Sequence, residues 1–297
     1  MAAQGHLLLI NPSAGGGRAR KLAAHAQAAL DDAGVKHRTV VTEGIEHGRV
    51  QAAAAAKLGE RVIVMSGDGL IGQIGGELAG TGAVMGVIPG GRGNDFARVV
   101  GIPTDVEEAA GLIAAGHTRE IDVGEVNGAR FLCIASCGFD SECNRVANEA
   151  KLVKGPLVYV YSALRVLASW TPARFTVTAD GEQYEVVGYT IAAANSKAYG
   201  GGMFIAPDAQ LDDGLLDVVA ISHVSKLKFL RGLPQVFKGE HVNRPDISVH
   251  RAAEVRIEAD RPFAIYADGD AIAELPADLR VLPKALRVIV PPPGMKA

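Results

Sequence analysis

The sequence is short of cysteine, and this shortage argues against two ways of stabilising a fold. Its 297 residues contain three cysteines, at Cys133, Cys137 and Cys143. An odd number in so long a chain argues against a disulfide framework and favours a reducing compartment. Their spacing is wider than that of a zinc knuckle, and no second pair follows. We therefore expect small buried hydrophobic side chains on or beside a strand.

The sequence also lacks a surplus of positive charge and a long apolar run. Thirty Lys and Arg residues against 33 Asp and Glu leave a net charge of −3, which disfavours a nucleic acid as partner. The longest apolar stretch, 157–169, contains Arg165 and is shorter than the roughly 18 residues that cross a bilayer. Residues 1–10 carry no basic leader. We therefore expect a cytoplasmic protein that at most touches a membrane peripherally.

What the sequence does have is a regular alternation of strand and helix patterns over its first third. Its length, at roughly 150 residues per domain, predicts about two domains. Short apolar segments alternate with longer segments of helical period, several of which end at glycine. The predicted strands are 6–10, 36–41, 61–65 and 84–88, and the predicted helices are 22–33, 47–58, 70–78 and one from about residue 94. Apolar strands between helices indicate a parallel sheet covered on both faces.

After about residue 120 the pattern becomes one of strands joined by tight turns. Asn127-Gly128, Asp180-Gly181 and Asp268-Gly269 are typical of two-residue hairpin turns. The predicted strands are 120–126, 129–137, 175–179, 184–194, 215–221, 251–259, 263–267 and 286–290, with helices near 157–169 and 227–237. This half is therefore predicted to be a mostly antiparallel β domain.

Three turns at the carboxyl ends of the predicted parallel strands are rich in glycine. They are Asn11–Gly17, Ser66–Leu70 and Pro89–Asp95. Ligands of open parallel sheets bind at these ends, where glycine lets backbone amides approach a phosphate and the following helix adds a favourable partial charge. Each turn alone is weak evidence, but the three together predict a polyphosphate pocket.

Asp68 lies inside the second turn and allows two interpretations. A carboxylate there would repel a phosphate unless a divalent cation lay between them, or it would accept a proton or a ribose hydroxyl. Alternatively, Asp before Gly holds the turn through its own backbone. Gly67, Gly69 and Gly72 also have the G-x-G-x-x-G spacing of dinucleotide sites. No acidic residue ends the next strand, however, which disfavours an oxidoreductase.

In their order along the chain, these residues resemble the diacylglycerol kinase catalytic-domain family, which includes bacterial lipid kinases and sphingosine kinases. The motifs are Asn-Pro-x-Ala-Gly at 11–15, Ser-Gly-Asp-Gly-Leu at 66–70, Pro-x-Gly-Arg-Gly-Asn-Asp-Phe-Ala-Arg at 89–98, Asp-Asp-Gly-x-Leu-Asp-Val at 212–218 and Asp-Gly-Asp at 268–270. The resemblance implies an N-terminal α/β domain with a parallel sheet, like that of NAD kinases and phosphofructokinases, and a C-terminal antiparallel β-sandwich domain. We place these domains at 1–122 and 123–284, with the last strand, about 285–297, returning to the first.

The resemblance also implies transfer of the γ-phosphate of ATP to a hydroxyl of a diacylglycerol-like or sphingoid lipid at the membrane surface. The nucleotide would be lined by Asn11, Thr42, Ser66, Gly67, Asp68, Gly69, Leu70, Ile71, Gly72, Gly91, Arg92 and Asn94. Asp270 stands where the family has its catalytic Glu, and Asp68 is the second candidate catalytic residue. Mg²⁺ would be held by Asp213 with backbone oxygens of Gln210 and Leu215. From the residues alone, Asp270 is simply part of a hairpin signal.

Departures from the family pattern leave alternatives open. Asp270 is one methylene shorter than Glu, Arg92 replaces a small hydroxyl residue, and Gln73 replaces a Glu. Leu70 replaces a Thr, although sphingosine-kinase-like members carry leucine there. A nucleotide-binding regulatory protein with little or no turnover therefore stays open, as does a kinase of a soluble hydroxyl compound such as NAD. A homodimer formed by pairing of sheet edges also stays open.

Basic residues accompany two apolar helical segments. Lys151, Lys154 and Arg165 flank 157–167, and Lys226, Lys228, Arg231 and Lys238 surround Phe229, Leu230 and Phe237. Such stripes can dock on an anionic lipid interface. An amphipathic helix packed on its own core is the commoner explanation of the same pattern.

Overall fold

The computed structural model describes residues 5–149 and 157–294. The chain begins with β1 (His6–Ile10), α1 (Ala14–Asp32), β2 (His37–Val41), α2 (Ile45–Lys57), β3 (Arg61–Ser66), α3 (Asp68–Leu78), β4 (Val84–Pro89), α4 (Asp95–Val100) and α5 (Val106–Ala115). It continues with β5 (Thr118–Val126), β6 (Ala129–Phe131), β7 (Ile134–Gly138), α6 (Phe139–Glu149), α7 (Leu157–Ser169), β8 (Ala173–Ala179) and β9 (Glu182–Ala194). The last elements are β10 (Leu216–Ser222), α8 (Lys226–Val236), a 3-10 helix (Glu240–Asn243), β11 (Ile247–Ala252), β12 (Glu254–Ala259), β13 (Ala264–Ala267), β14 (Asp270–Glu274) and β15 (Ala277–Ile289).

The first domain is built on a parallel sheet in the order β2-β1-β3-β4. Its strands are apolar because helices cover the sheet, with α1 beside α5 and α2 beside α3. Leu7, Leu8 and Leu9 of β1 are completely buried. The α/β fold is confirmed, and the carboxyl ends of β1, β3 and β4 lie side by side at one edge of the sheet.

The second domain is an antiparallel β-sandwich, as predicted. Its strands run in the order β14-β13-β7-β9-β8-β12-β15, and β10 pairs with β9 and β11. Aromatic rings fill its core: Phe139 packs edge-on against Trp170 and Phe229, at centroid distances of 5.6 and 4.9 Å. Such edge-to-face pairs stabilise beyond the area that they bury.

One strand, β15, belongs to both domains. It pairs antiparallel with β12 and β5 and parallel with β4, where Arg287 faces Val84. Backbone hydrogen bonding therefore continues from one domain into the other. The strand starts at Ala277, earlier than the predicted start at 286, because pairing with β12 extends it. The domain boundaries themselves stay a prediction.

Two predicted strands are each interrupted where a carboxylate takes backbone N–H groups. The predicted strand 129–137 divides into β6 and β7, and the Leu132 and Cys133 N–H groups between them donate to Asp268. The predicted strand 251–259 divides into β11 and β12 near Ala253, whose N–H donates to Asp180. Both acceptors come from hairpin turns distant in sequence, so local pattern could not reveal either interruption.

The helices α5 and α6 and the strand β14 were not predicted. The limits of α5 carry ordinary signals, since Asp105 accepts from the Glu108 N–H at its start and Gly116 ends it at φ 66°. The prediction that the cysteines lie on or beside a strand is wrong for Cys143, because this residue lies on the unpredicted helix α6. Cys137 in β7 and Cys133 beside it are buried, as predicted.

The two domains meet along a face of α3 that consists of glycine. Positions 69, 72, 75 and 76 lie against Asp270, Asp268, Leu132 and Arg130, respectively. A Cβ at Gly75 would lie 2.6 Å from Leu132 Cδ1, and one at Gly76 would lie 3.0 Å from Arg130 Cβ. The Arg130 guanidinium also donates to the Gly76 and Ala79 carbonyl oxygens at the end of α3. Two glycines of the G-x-G-x-x-G spacing, at 69 and 72, therefore serve packing between the domains.

We expect Gly75→Ala to lower the free energy of unfolding by about 1–3 kcal/mol, because Leu132, which is buried, must leave its position. Gly111→Ala on α5 is the matched control, since a Cβ there meets no atom within 4 Å. Alanine favours a helix over glycine by about 0.5–1 kcal/mol, so the control should be neutral or stabilising. Urea unfolding measures both variants. Equal unfolding free energies would contradict close packing along α3.

Candidate active site

The glycine-rich turns after β1, β3 and β4 meet at the carboxyl edge of the sheet. A Cβ at Gly67 would lie 3.0 Å from the Gly91 Cα, so the second and third turns touch through backbone. The Asn11 Nδ2 donates to Ser66 Oγ at 3.2 Å and joins the first turn to the second. These four predicted nucleotide-binding residues are thus brought together, and we call the place where the three turns meet the predicted pocket.

The first turn lies under the third. Gly15, Gly16 and Gly17 have φ values of 61°, 70° and 93°, which glycine adopts without strain. A Cβ at Gly15 would lie 2.5 Å from the Gly90 carbonyl oxygen. The Arg92 guanidinium lies over Gly16, with Nη2 3.2 Å from the position of a Cβ there. Since Arg92 is exposed and pairs with no carboxylate in residues 5–149 and 157–294, it is available to an anion between these turns.

Asn94 and Thr42 lie at the pocket but use their polar atoms within the protein. Asn94 adopts φ 51°, and its Oδ1 accepts from the Gly91 N–H at 2.9 Å. Thr42 follows β2, and its Oγ1 donates to the Ile10 carbonyl oxygen at 3.3 Å. Both residues therefore shape the turns that a ligand would contact.

Three members of the predicted nucleotide set point away from the pocket. Leu70 is 4% exposed and packs toward α2, where a Cβ at Gly48 would lie 3.2 Å from its Cδ1. Ile71 is completely buried, and Gly72 lies against Asp268. These residues can contact a nucleotide only through the backbone at the start of α3.

Two carboxylates converge at the starts of α3 and α4. A Cβ at Gly93 would lie 3.0 Å from Asp68 Oδ2 and 3.1 Å from Asp95 Oδ2. Asp68 accepts from the Phe96 N–H at 3.1 Å, and Asp95 accepts from the Gly201 N–H at 2.7 Å. Burial raises the pKa of Asp68, the nearby Asp95 adds to the rise, and the Phe96 N–H opposes it. Asp68 is therefore a better proton acceptor than an exposed Asp.

The β13–β14 hairpin brings two more carboxylates against α3. Asp270 Oδ2 lies 3.2 Å from the position of a Cβ at Gly69, the residue after Asp68. Burial raises the pKa of Asp270. Burial likewise raises the pKa of Asp268 to about 7. The hydrogen bonds that it accepts from two backbone N–H groups oppose this rise, and the nearby Asp68 adds to it. Both predicted catalytic carboxylates, Asp68 and Asp270, thus lie at the start of one helix.

Sequence reasoning missed Asp95 and Asp268 as members of this cluster. Asp95 ends the third glycine-rich turn, and its position at the start of a helix, like that of Asp68, was the available signal. The sequence around Asp268 indicates only a hairpin turn, because the contact of Asp268 with α3 depends on how the two domains pack.

The predicted magnesium ligands Gln210, Asp213 and Leu215 precede β10. Oxygen donors of this kind suit a hard cation. Arg251, however, forms an ion pair with Asp213, and the Leu215 N–H donates to Asp213 Oδ1 at 3.1 Å. In the described ranges, no three His, Cys, Asp or Glu side chains are grouped to hold a metal ion. Mg²⁺ would compete with Arg251 for Asp213, and the magnesium site stays a prediction.

Comparison with known proteins gives matches over both domains. The family model described as "Diacylglycerol kinase catalytic domain" matches residues 6–126. The model described as "YegS C-terminal NAD kinase beta sandwich-like domain" matches residues 133–290. A diacylglycerol kinase of Mycobacterium tuberculosis (strain H37Rv) is 38% identical over 294 residues, which cover 96% of this chain and 95% of the relative. A diacylglycerol kinase of Bacillus subtilis (strain 168) is 30% identical over 293 residues, with the same coverage.

The fold has a counterpart among solved structures. The crystal structure of a diacylglycerol kinase from Bacillus anthracis (strain Sterne) superposes with a TM-score of 0.76 and covers 98% of both chains. Its 22% identity makes it evidence for the fold alone. The family models and the curated relatives, by contrast, extend over the residues of the pocket and of the hairpin. On these matches, the chain belongs to the diacylglycerol kinase catalytic-domain family.

Proposed function

We propose that this protein transfers the γ-phosphate of ATP, bound as its magnesium complex, to a hydroxyl of a diacylglycerol-like or sphingoid lipid. The observation that carries the proposal is the position of the Asp270 carboxylate against Gly69, the residue that follows Asp68 in the second glycine-rich turn. The relatives named diacylglycerol kinase support a lipid as the acceptor. The pocket supports a phosphate donor through its backbone amides.

Asp270 is the candidate general base. Its carboxylate would accept the proton of the lipid hydroxyl while the new O–P bond forms and the bond from the γ-phosphorus to ADP breaks. The raised pKa that burial gives Asp270 makes it a stronger base than an exposed Asp. The shorter side chain reaches the start of α3 because Gly69 has none.

Arg92 is the candidate charge clamp for the phosphates. It is the one cation in the three turns, which also contain Asp68 and Asp95. Guanidinium groups bind phosphate oxygens through paired hydrogen bonds. Magnesium would supply further positive charge when the nucleotide binds. Since the family pattern has a small hydroxyl residue at this position, the proposed clamp is a departure from that pattern.

We expect Asp270→Asn to lower kcat for lipid phosphorylation by about 10²- to 10⁴-fold, because an amide cannot take the proton. Asp68→Asn should abolish labelling of lipid, since Asp68 is the carboxylate inside the second glycine-rich turn. The assay incubates labelled ATP, magnesium and an extracted lipid mixture with each variant. Asp32→Asn at the exposed end of α1 is the matched control and should keep wild-type activity.

Two results would contradict lipid phosphorylation. Binding of ATP with no transfer to lipid or NAD would favour a nucleotide-binding regulatory protein. Label transferred to NAD and absent from lipid would favour a kinase of a soluble substrate.

We expect Arg92→Gln to raise KM for ATP by about 10- to 100-fold, because each lost charged hydrogen bond is worth about 1.5–3 kcal/mol. Arg92→Lys should have a KM for ATP between those of the wild type and Arg92→Gln, since an ammonium keeps the charge but lacks the paired donors of a guanidinium. Arg20→Gln on the exposed side of α1 is the control. Steady-state kinetics with varied ATP measure the effect. An unchanged KM in Arg92→Gln would remove the charge clamp from the proposal.

We further propose that the lipid is reached from an anionic membrane at the α7–α8 face, which we define by Leu164, Arg165, Lys226 and Leu227. The Lys226 Nζ donates to the Ala168 carbonyl oxygen at 2.8 Å and so holds the start of α8 at the end of α7. Leu164 is 53% and Leu227 58% exposed. Exposed leucines beside basic groups suit an anionic interface. None of the helices described is long and apolar enough to cross a bilayer.

A cavity beside this face supports access for a lipid. Its volume is about 720 Å³, and its lining includes Tyr161, Arg165 and Val166 of α7 together with Trp170 and Phe263 of the sandwich core. The lining also includes the charged side chains of Glu142, Arg145, Glu149 and Arg261, so the cavity suits a ligand with a polar head as well as apolar parts.

Several residues of the predicted membrane stripe do not contribute to the α7–α8 face. Phe229 is 7% exposed and belongs to the sandwich core, because its ring packs on Phe139. Lys228 is paired with Asp246 at 3.1 Å. Lys151 and Lys154 lie outside the described residues.

We expect the protein to float with vesicles that contain an anionic phospholipid at low salt, and to be released at high salt because screening weakens the attraction. The double variant Leu164→Ser/Leu227→Ser should bind several-fold more weakly. Leu58→Ser, at the end of α2 in the other domain, is the control, since this leucine is 65% exposed. Absence of flotation at low salt would end this proposal.

A further inference from the structure

We propose that Asp268 is a positioning residue that holds Asp270 in its place against Gly69 at the start of α3. The proposal rests on the proposed phosphoryl transfer, because it takes Asp270 as the base. It gives a role in the site to a carboxylate whose sequence context indicates only a hairpin turn.

The Asp268 carboxylate ties the β13–β14 turn to the turn between β6 and β7. Its Oδ2 accepts from the Leu132 N–H at 2.8 Å, and its Oδ1 accepts from the Cys133 N–H at 2.9 Å. Because each oxygen takes one N–H, the two bonds fix the orientation of the whole carboxylate. The donors lie 136 and 135 positions earlier in the chain, so the tie is a tertiary contact.

The same side chain packs directly on α3. A Cβ at Gly72 would lie 2.9 Å from Asp268 Cβ and would overlap the carboxylate. Leu132, one of the two donors, fills the space at Gly75 one turn further along the helix. Since α3 begins at Asp68, the tie fixes the hairpin relative to the helix that presents Asp68.

Asp270 depends on this tie because its carboxylate has no tie of its own. Within the ranges that the structure describes, no group hydrogen-bonds to it. Its backbone is paired with Ala267 across the turn that contains Asp268. A displacement of that turn would therefore move the Asp270 carboxylate with it.

Two other turns in this chain show what such a turn requires by itself. Asp180 has φ 45°, and its carboxylate also accepts two successive N–H groups, but it lies at the exposed end of the sandwich. Asn127 has φ 48° and accepts from the Asp278 N–H with a neutral amide. A turn of this kind therefore does not require a buried carboxylate. Asp268 has one, packed against α3, where burial raises its pKa.

The experiment compares Asp268→Asn with Asp180→Asn. Both variants make the same substitution in the same kind of turn. Asp268→Asn leaves one of two N–H groups without a good acceptor, because each Asp268 oxygen takes one of them, whereas Oδ1 of Asp180 already accepts from both Ala253 and Glu254. Gly72→Ala is a second variant, which displaces Asp268 without altering its charge. The measurements are kcat, KM for ATP and for lipid, thermal unfolding, and hydrogen exchange of the amides at 132, 133 and 264–274.

We expect Asp268→Asn and Gly72→Ala to lower kcat by about 10²-fold, the effect of a misplacement on the order of 1 Å. In Asp268→Asn, KM for ATP should change by less than about threefold, because Asp268 lies outside the three glycine-rich turns. Asp180→Asn should keep wild-type kcat. Hydrogen exchange of the amides at 132, 133 and in the β13–β14 hairpin should be faster in Asp268→Asn and unchanged in Asp180→Asn.

Wild-type kcat in Asp268→Asn would overturn the proposal. So would equal losses in Asp268→Asn and Asp180→Asn, or a loss of kcat that follows a general loss of folded protein. If the wild-type protein transfers no phosphate to lipid, the proposed function fails and hydrogen exchange decides separately on the tie. Unchanged exchange at 132, 133 and the hairpin in Asp268→Asn would then show that Asp268 does not hold the turn.

Discussion

The packing of α3 against the second domain is the constraint on which the site depends. Along its glycine face the helix comes closer to the β13–β14 hairpin and to Leu132 than any side chain would allow. The same helix starts directly after the second glycine-rich turn, so Asp68 and the contact with Asp270 are placed by one element. Arg130 binds the carbonyl oxygens at the far end of the helix. A site between two domains is thus assembled on a single rigid helix, and β15 joins the two sheets as a second link.

This packing concentrates negative charge. Asp68, Asp95, Asp268 and Asp270 lie around the start of α3, and burial raises the pKa of Asp68, Asp268 and Asp270. Backbone N–H groups compensate part of this cost at Asp68 and Asp268. Arg92 faces the first turn on the other side of the pocket. The arrangement suits a ligand that brings cations together with phosphates, and the raised pKa values make these carboxylates better proton acceptors than exposed ones.

Sequence patterns were sufficient wherever structure is decided by neighbours in the chain. The apolar strands, the three hairpin turns and the glycine-rich turns could be located in this way, and parallel topology places the carboxyl ends of β1, β3 and β4 together. The interruption at Leu132 could not be located, because its N–H is taken by a side chain 136 positions away. The glycines of α3 were visible as a spacing, but their partners depend on the docking of two domains. Side chains that face across such a contact leave no periodic signal.

The substitution of Asp for Glu at position 270 is best understood together with the helix opposite. Considered alone, a side chain shorter by one methylene weakens the case for a base. In the folded protein, Asp270 Oδ2 lies 3.2 Å from the position that a Cβ at Gly69 would take, so the shorter side chain already reaches the start of α3. The hairpin can come so close because Gly69 and Gly72 have no side chains and because Asp268 holds the turn against them. The residue at 270, the glycines of α3 and the carboxylate at 268 therefore form one geometric unit, in which a short carboxylate side chain meets a helix face without side chains.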